Sequence, residues 1–288
     1  MGLGYETLHE RRPALVYGAI RGFGDPRTGR SPYVDRPAFD VVSQSMGGLA
    51  SFTGPEGGPV YRTGAAVGDI YPGTLAALGV VAAIHSARKT GQGQFIDVAM
   101  YDGILALCEE MTYQYSMRGR VLRPSGNNHQ TLVPYGIFPT QNGFIAIAAQ
   151  TDPHWQILCG LIGRPELATD ERCRDNRSRL KNAAFVRGTL SDWTSARPTS
   201  EVVAALDGKV PMGPVNNGKD IFDDPHPRAR EMLVETPMPG DNPPVVLAGC
   251  PIKFTDTPSG IYARAPRLGE HTAEVLAEAG VATRQSGG

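Results

Sequence analysis

The stretch Ala66-Val67-Gly68-Asp69-Ile70-Tyr71-Pro72-Gly73 sets one aspartate behind a glycine and ahead of a long apolar run. From Pro72 the chain continues Gly-Thr-Leu-Ala-Ala-Leu-Gly-Val-Val-Ala-Ala-Ile-His-Ser-Ala-Arg to Lys89, rich in alanine and leucine and apolar nearly all round. A helix of that kind is expected inside a protein rather than on its surface. Pro72 suits a first-turn position, where its missing N–H costs nothing. Asp69 would then lie beside the positive end of the helix dipole, which favours its ionised form. Aspartate is also a common residue at helix starts. On these residues alone, a capping role and a chemical role both stand.

Outward from this helix the pattern is alternating. Downstream, Lys89-Thr-Gly-Gln-Gly-Gln94 is a glycine-punctuated turn that feeds a strand over Phe95–Met100 and a helix over Tyr101–Met117. Upstream, a short helix over Tyr5–Arg12 precedes the apolar run Ala14–Ile20, which reads as a strand buried on both faces. A second helix is expected from Val41, broken by Gly47 and Gly48. Strand, helix, strand, helix in this order predicts an α/β layer with a parallel sheet. The loop Gly22-Phe23-Gly24 lacks the third glycine of a dinucleotide fingerprint, and Ser45 is not in a G-x-S-x-G elbow.

The character changes at Arg118. The segment 118–134 is polar and basic and reads as a linker carrying a functional loop. Residues 135–215 read as a small α+β domain. Tyr135–Phe138 and the strand from Phe144 flank Asn142-Gly143, a hairpin signal. Asp152-Pro153 opens a helix as cap and first-turn proline, and on it Trp155, Leu158, Cys159 and Ile162 share one apolar face. Two more helices are expected near Lys181–Trp193 and Ser200–Asp207. Segment 216–288 is proline-rich and reads as a return to the large domain formed by residues 1–117. It carries strands over Met232–Thr236 and Val245–Phe254, a helix near Glu270–Ala279 closed by Gly280, and a polar tail over Thr283–Gly288 expected to fray.

Composition narrows the class. The 288 residues are 41% hydrophobic and 20% charged with a net charge of −1, ordinary for a globular protein. A near-neutral balance offers nothing to nucleic acid. The cysteines Cys108, Cys159, Cys173 and Cys250 are scattered, without C-x-x-C, and read as free thiols in a reducing cytoplasm. The longest apolar run, Leu75–Ile84, falls short of the ~18 residues of a membrane span. The six histidines show no metal-ligand spacing; His85 reads as a core histidine and His271 as a helix-start residue. Residue chemistry alone stops at an α/β protein with a second, smaller domain.

Several stretches together resemble the class III CoA-transferase family, the formyl-CoA and carnitine CoA-transferase type. They are Leu15–Gly24, Arg36–Gly48, Gly68-Asp69-Ile-Tyr-Pro-Gly73, Lys89-Thr-Gly-Gln-Gly-Gln94 through Met100, Asp102, Gly249–Phe254, and Ala265-Pro-Arg-Leu-Gly-Glu-His-Thr272. Each is weak alone; Gly-Asp, Lys-Thr-Gly-x-Gly-Gln and Leu-Gly-Glu-His-Thr in this order are specific. The resemblance implies a partial Rossmann-like large domain, a smaller α+β domain and an interlocked homodimer. It implies that Asp69 is the nucleophile, that a coenzyme A thioester is substrate rather than a permanently bound cofactor, and that a carboxylic acid accepts the CoA. No metal is required. A carboxylate needs only to be ionised and held close to the thioester carbonyl.

The same resemblance extends to softer assignments. Arg36 and Met100 match neighbourhoods that contact CoA, where an arginine can pair with phosphate or stack on adenine; a surface salt bridge is the alternative for Arg36. Gly126, Asn127 and His129 lie where formyl-CoA transferases carry a glycine-rich lid over the aspartate, although the glycine run is absent here. A racemase branch shares the fold and uses a Gly-His-Asp motif, where this chain has Ala38-Phe39-Asp40. A non-catalytic subunit is the third reading. Family members begin with a further nucleotide-binding-type portion, so this chain is expected to lack the family's N-terminal part.

Overall fold

The computed structural model describes residues 2–240 and 242–281. They fall into two units, Met1–Gly213 and Pro214–Gly288. In the first, α1 (Tyr5–Arg11) leads into β1 (Tyr17–Arg21), followed by α2 (Asp40–Met46), a 3₁₀ turn over Leu49–Phe52, α3 (Val67–Thr90), β2 (Phe95–Ala99), α4 (Met100–Leu107) and α5 (Glu109–Arg118). Strands β1 and β2 pair in parallel, Tyr17 opposite Phe95 and Arg21 opposite Ala99. The expected strand starts later than Ala14. Pro13 instead accepts the Gly93 N–H at 2.7 Å, tying the turn after α3 to the approach of β1.

Helix α3 departs from expectation twice. It begins at Val67, so Pro72 lies inside it rather than in its first turn. The earlier start is possible because the Gly68 N–H, a donor with no partner within the helix, is taken by the Asp40 carboxylate at 2.8 Å. The helix is also not enclosed. Its small residues Gly68, Pro72, Ala76, Ala83 and Ala87 are buried, and Gly79 and Val80 meet the strands, at Ile96 and Gly18. Other large residues face away: Leu78 is 68% exposed and Val81 65%. By length and composition α3 could cross a membrane, yet it packs along β1, β2, α2 and α4.

The helix expected over Tyr101–Met117 is two helices, broken at Cys108, whose ψ of 36° leaves the helical region. Ile104, fully buried, fixes α4 beneath Gly47, where a Cβ would come within 2.6 Å of it.

Beyond residue 134 come β3 (Tyr135–Pro139), β4 (Phe144–Ala148), α6 (Asp152–Leu161), a 3₁₀ turn over Pro165–Ala168, α7 (Asn176–Lys181), α8 (Ala183–Ser195), α9 (Thr199–Leu206) and β5 (Met212–Pro214). The hairpin read from Asn142-Gly143 is present, with Tyr135 opposite Ala148, and the sheet order is β3-β4-β5. Ile145 and Ile147 alternate inward onto Trp155, Leu158, Val186 and Leu190, the core of this region. The α6 cap is Thr151, which accepts the His154 N–H, with Asp152 and Pro153 in the first turn.

Arg179 sits fully buried in that core. Its guanidinium donates to the carbonyls of Val133 at 2.9 Å, Cys173 at 2.9 Å and Gln150 at 2.6 Å, and to Asp152 Oδ1 at 2.9 Å. A buried cation is tolerated when its donors are used in this way.

The second unit holds α10 (Gly218–Asp223), α11 (Pro225–Ala229), β6 (Leu233–Thr236), β7 (Val245–Ala248) and α12 (Thr272–Glu278). Asn217 and Asp220 form a reciprocal capping box on α10. β6 and β7 are antiparallel; β7 is shorter than the expected strand to Phe254, a stretch that includes Pro251, which cannot donate to a ladder. Gly280 closes the last helix at φ 66°, and the tail expected to fray lies outside the described residues from 282 onward.

Two outcomes follow from these ties. Arg179→Ala strips three buried carbonyls of their donor at ~1–3 kcal/mol each, so chemical denaturation should show a loss of at least ~3 kcal/mol in the unit that holds it. In the second unit, hydrogen bonds from Arg264 and the Arg267 N–H hold the Glu270 carboxyl at about 2, below its usual 4.5. A depressed carboxylate stabilises the fold above its unfolded value and loses that contribution as pH falls toward 2. Glu270→Gln should therefore flatten the acid limb of stability between those values, read by unfolding against pH.

Candidate active site

Asp69 occupies the third residue of α3 and is exposed. Its own N–H bonds the Ala66 carbonyl at 3.1 Å. The dipole of a long helix concentrates its positive end in this first turn, and the carboxylate there is accessible.

What holds it there is a polar hook from α2. Asp40 Oδ1 accepts the Gly68 N–H, and both Asp40 oxygens accept Gln44 Nε2 at 2.9 Å. Gln44, fully buried, turns its Oε1 to the Thr63 N–H at 2.9 Å. The approach is so close that a Cβ at Gly68 would lie 2.7 Å from the Asp40 carbonyl oxygen and 2.9 Å from Oδ1. Glycine before Asp69 is thus a packing requirement. Asp40 and Gln44 were not singled out from sequence; their spacing of four on a helix starting at an aspartate was the available signal.

Arg36 and Met100 lie at the same end of the sheet. Met100 opens α4 directly after β2, and the Tyr101 N–H bonds the Gly22 carbonyl just beyond β1 at 3.1 Å. Gly22 in turn packs on Ala38, where a Cβ would come within 2.4 Å. Arg36 is exposed and its guanidinium lies over the Tyr33 ring at 4.4 Å rather than in a salt bridge with a described residue. The carboxyl ends of parallel strands are where ligands bind in open α/β sheets. Phe39, at the racemase histidine position, is the N-cap residue of α2 and carries no titratable group.

Gly126, Asn127 and His129 line a different feature, an open cleft of about 670 Å³ beside the β3-β4-β5 sheet. Asp69 is not among its lining residues. The loop is tied toward the segment that leads to α3 by the Gly126 N–H, which bonds the Gly54 carbonyl at 2.9 Å. Asn127 and Asn128 lean on β3, whose Gly136 has no room for a Cβ, 2.6 Å from the Asn127 oxygen. Among the described residues no cluster of histidine, cysteine or acidic side chains could hold a metal. Burial pushes the Cys108 and Cys173 thiols up, and that of Cys159 to about 12, which leaves them poor nucleophiles.

Asp69 thus stands in the first turn of the helix that connects two parallel strands. The chain belongs to CoA-transferase family III, whose sequence profile matches residues 1–272, and it is a CoA-transferase by class. It is 45% identical over 280 residues to succinyl-CoA:mesaconate CoA-transferase of Haloarcula hispanica, covering 97% of this chain and 70% of the relative. It is 34% identical to succinate–glutarate CoA-transferase of Agrobacterium fabrum, over 96% of this chain and 68% of that one. A CaiB/BaiF family protein of Brucella suis has a similar structure, with a TM-score of 0.80 at 32% identity, covering 96% of this chain and 71% of the other.

Removing the hook tests what places Asp69. Asp40→Ala leaves the Gly68 N–H without its acceptor, a capping loss of ~0.5–2 kcal/mol. Amide exchange at Gly68 and Asp69 should quicken by roughly three- to thirtyfold while exchange in the middle of α3 stays unchanged.

Proposed function

We propose that Asp69 carries CoA between two carboxylic acids through covalent intermediates. The observation that supports this reading is the exposed carboxylate in the first turn of α3, fixed from behind by Asp40 and open in front. An Asp69 oxygen attacks the thioester carbonyl of the donor; the C–S bond breaks, giving a mixed anhydride and CoA thiolate. The thiolate attacks the aspartyl carbonyl, forming an aspartyl-CoA thioester and releasing the donor acid. The incoming carboxylate then attacks that thioester, giving a second anhydride and thiolate. Attack of the thiolate on the new acyl carbon yields the product thioester and regenerates the Asp69 carboxylate. No proton is gained or lost over the cycle.

In this reading Arg36 and Met100 contact CoA at the strand ends, and the loop of Gly126, Asn127 and His129 covers part of the substrate. The relatives named for succinyl-CoA, mesaconate and glutarate support dicarboxylic acids as donor and acceptor. Large apolar side chains bared along α3 support a homodimer, and unpaired buried thiols support a reducing, cytoplasmic setting.

The test is direct. Incubation with succinyl-CoA followed by peptide mass spectrometry should place a CoA or succinyl adduct on the peptide that contains Asp69. Asp69→Asn should abolish both the adduct and the transfer while thermal unfolding is unchanged. An adduct on Cys250, whose thiol the Ser259 hydroxyl holds below its usual range, with none on Asp69, would overturn the mechanism.

A further inference from the structure

His129 is held on three of its four polar groups. Its N–H donates to the Tyr135 carbonyl at 2.9 Å. Its carbonyl accepts Arg187 Nη2 at 3.2 Å. Its ring Nδ1 faces the Thr131 N–H at 3.1 Å, with the Thr131 hydroxyl at 3.3 Å. A backbone N–H can only donate, so Nδ1 must accept, and the ring proton resides on Nε2. The Tyr135 ring packs edge-on at 5.2 Å and restricts ring rotation.

The backbone around it is equally fixed. Carbonyls at alternate residues are gripped by side chains of α7 and α8: His129 by Arg187, Thr131 by Asn176 at 2.9 Å, and Val133 by Arg179 at 2.9 Å. Asn176 also accepts the Val133 N–H at 3.0 Å. Only the Nε2–H of His129 has no described protein partner, and His129 lines the cleft of about 670 Å³.

The cleft tells what that donor would meet. Ile137, Ala146, Pro211 and Met212 give it an apolar wall suited to the carbons of a short acid. No acidic side chain lines it to repel an anion. Asn127 and Asn128 add amide groups at the His129 end. A donor fixed in advance loses little freedom on binding, and a hydrogen bond to a carboxylate is about twice as strong as one between neutral groups.

We propose that His129 is the residue that selects dicarboxylic acids, its Nε2–H donating to the carboxylate remote from the one that reacts. Asp69 lies outside the cleft lining, and the proposal gives the reacting carboxylate to Asp69 and the remote one to His129. The assignment rests on the transfer reading for Asp69, and succinate against butyrate, equal in carbon number, is the pair that isolates the second carboxylate.

The experiment has two arms on the 288-residue chain. With ¹⁵N-labelled histidine, His129 should show a protonated Nε2 and a bare Nδ1, and succinate should shift its Nε2 signal where butyrate at equal concentration does not. In turnover, His129→Phe should lower the kcat/KM ratio of succinate over butyrate by roughly tenfold or more, the worth of one hydrogen bond to a charged group. His129→Gln, which keeps an N–H donor, should recover part of that ratio. A protonated Nδ1, equal shifts with both acids, or equal losses with both would each overturn the assignment. Failure of the Asp69 adduct alongside a succinate-specific shift would strike the mechanism and leave the binding role of His129 intact.

Discussion

The contact on which the candidate site depends is the 2.8 Å hydrogen bond from the Gly68 N–H to the Asp40 carboxylate. Helix starts leave backbone donors without partners, and local side chains usually supply the acceptor. Here the acceptor comes from 28 residues upstream, on another helix. The bond therefore does two things at once: it lets α3 begin before its proline, and it docks the first turn against α2. Gln44, bridging Asp40 to Thr63, extends the same constraint to the chain entering α3. Asp69 can then remain exposed without being loose, because the order of its backbone is supplied from behind.

Much of the architecture was legible because it follows from short-range chemistry. The parallel pair announced itself by two apolar runs separated by a helix, and the hairpin by Asn142-Gly143. The α6 face of Trp155, Leu158 and Cys159 obeyed helical periodicity, and all three are buried. What sequence could not show was long-range. The bond from Asp40 to Gly68 has no local signature, so α3 was placed to begin at Pro72. The break at Cys108 lies within a helix-favouring stretch and has no local signature.

The helix α3 was the more instructive difference. Its sequence is apolar on every side, and that was read as burial, but periodicity reports hydrophobicity and not which partner is present. Small residues and Val80 face the strands, while Leu78 and Val81 do not. Asp69 itself was identified by resemblance to a family motif, since an aspartate at a helix start is ordinary by itself. The roles open to His129 needed the positions of Thr131, Tyr135 and Arg187, the last of them 58 residues away.

The row of small residues along α3 has a mechanical consequence. Ala83 is 3% exposed and sits 14 residues beyond Asp69, roughly 21 Å along the axis at 1.5 Å per residue. A close-packed interior cannot absorb even one extra methylene without a shift. Because α3 meets the strands at its middle, through Gly79 and Val80, bulk added at that far end would tilt the helix as a rigid lever about that contact. The Asp69 carboxylate at the other end would swing in the opposite direction. Sequence drift in this buried stripe is thus mechanically coupled to where Asp69 stands.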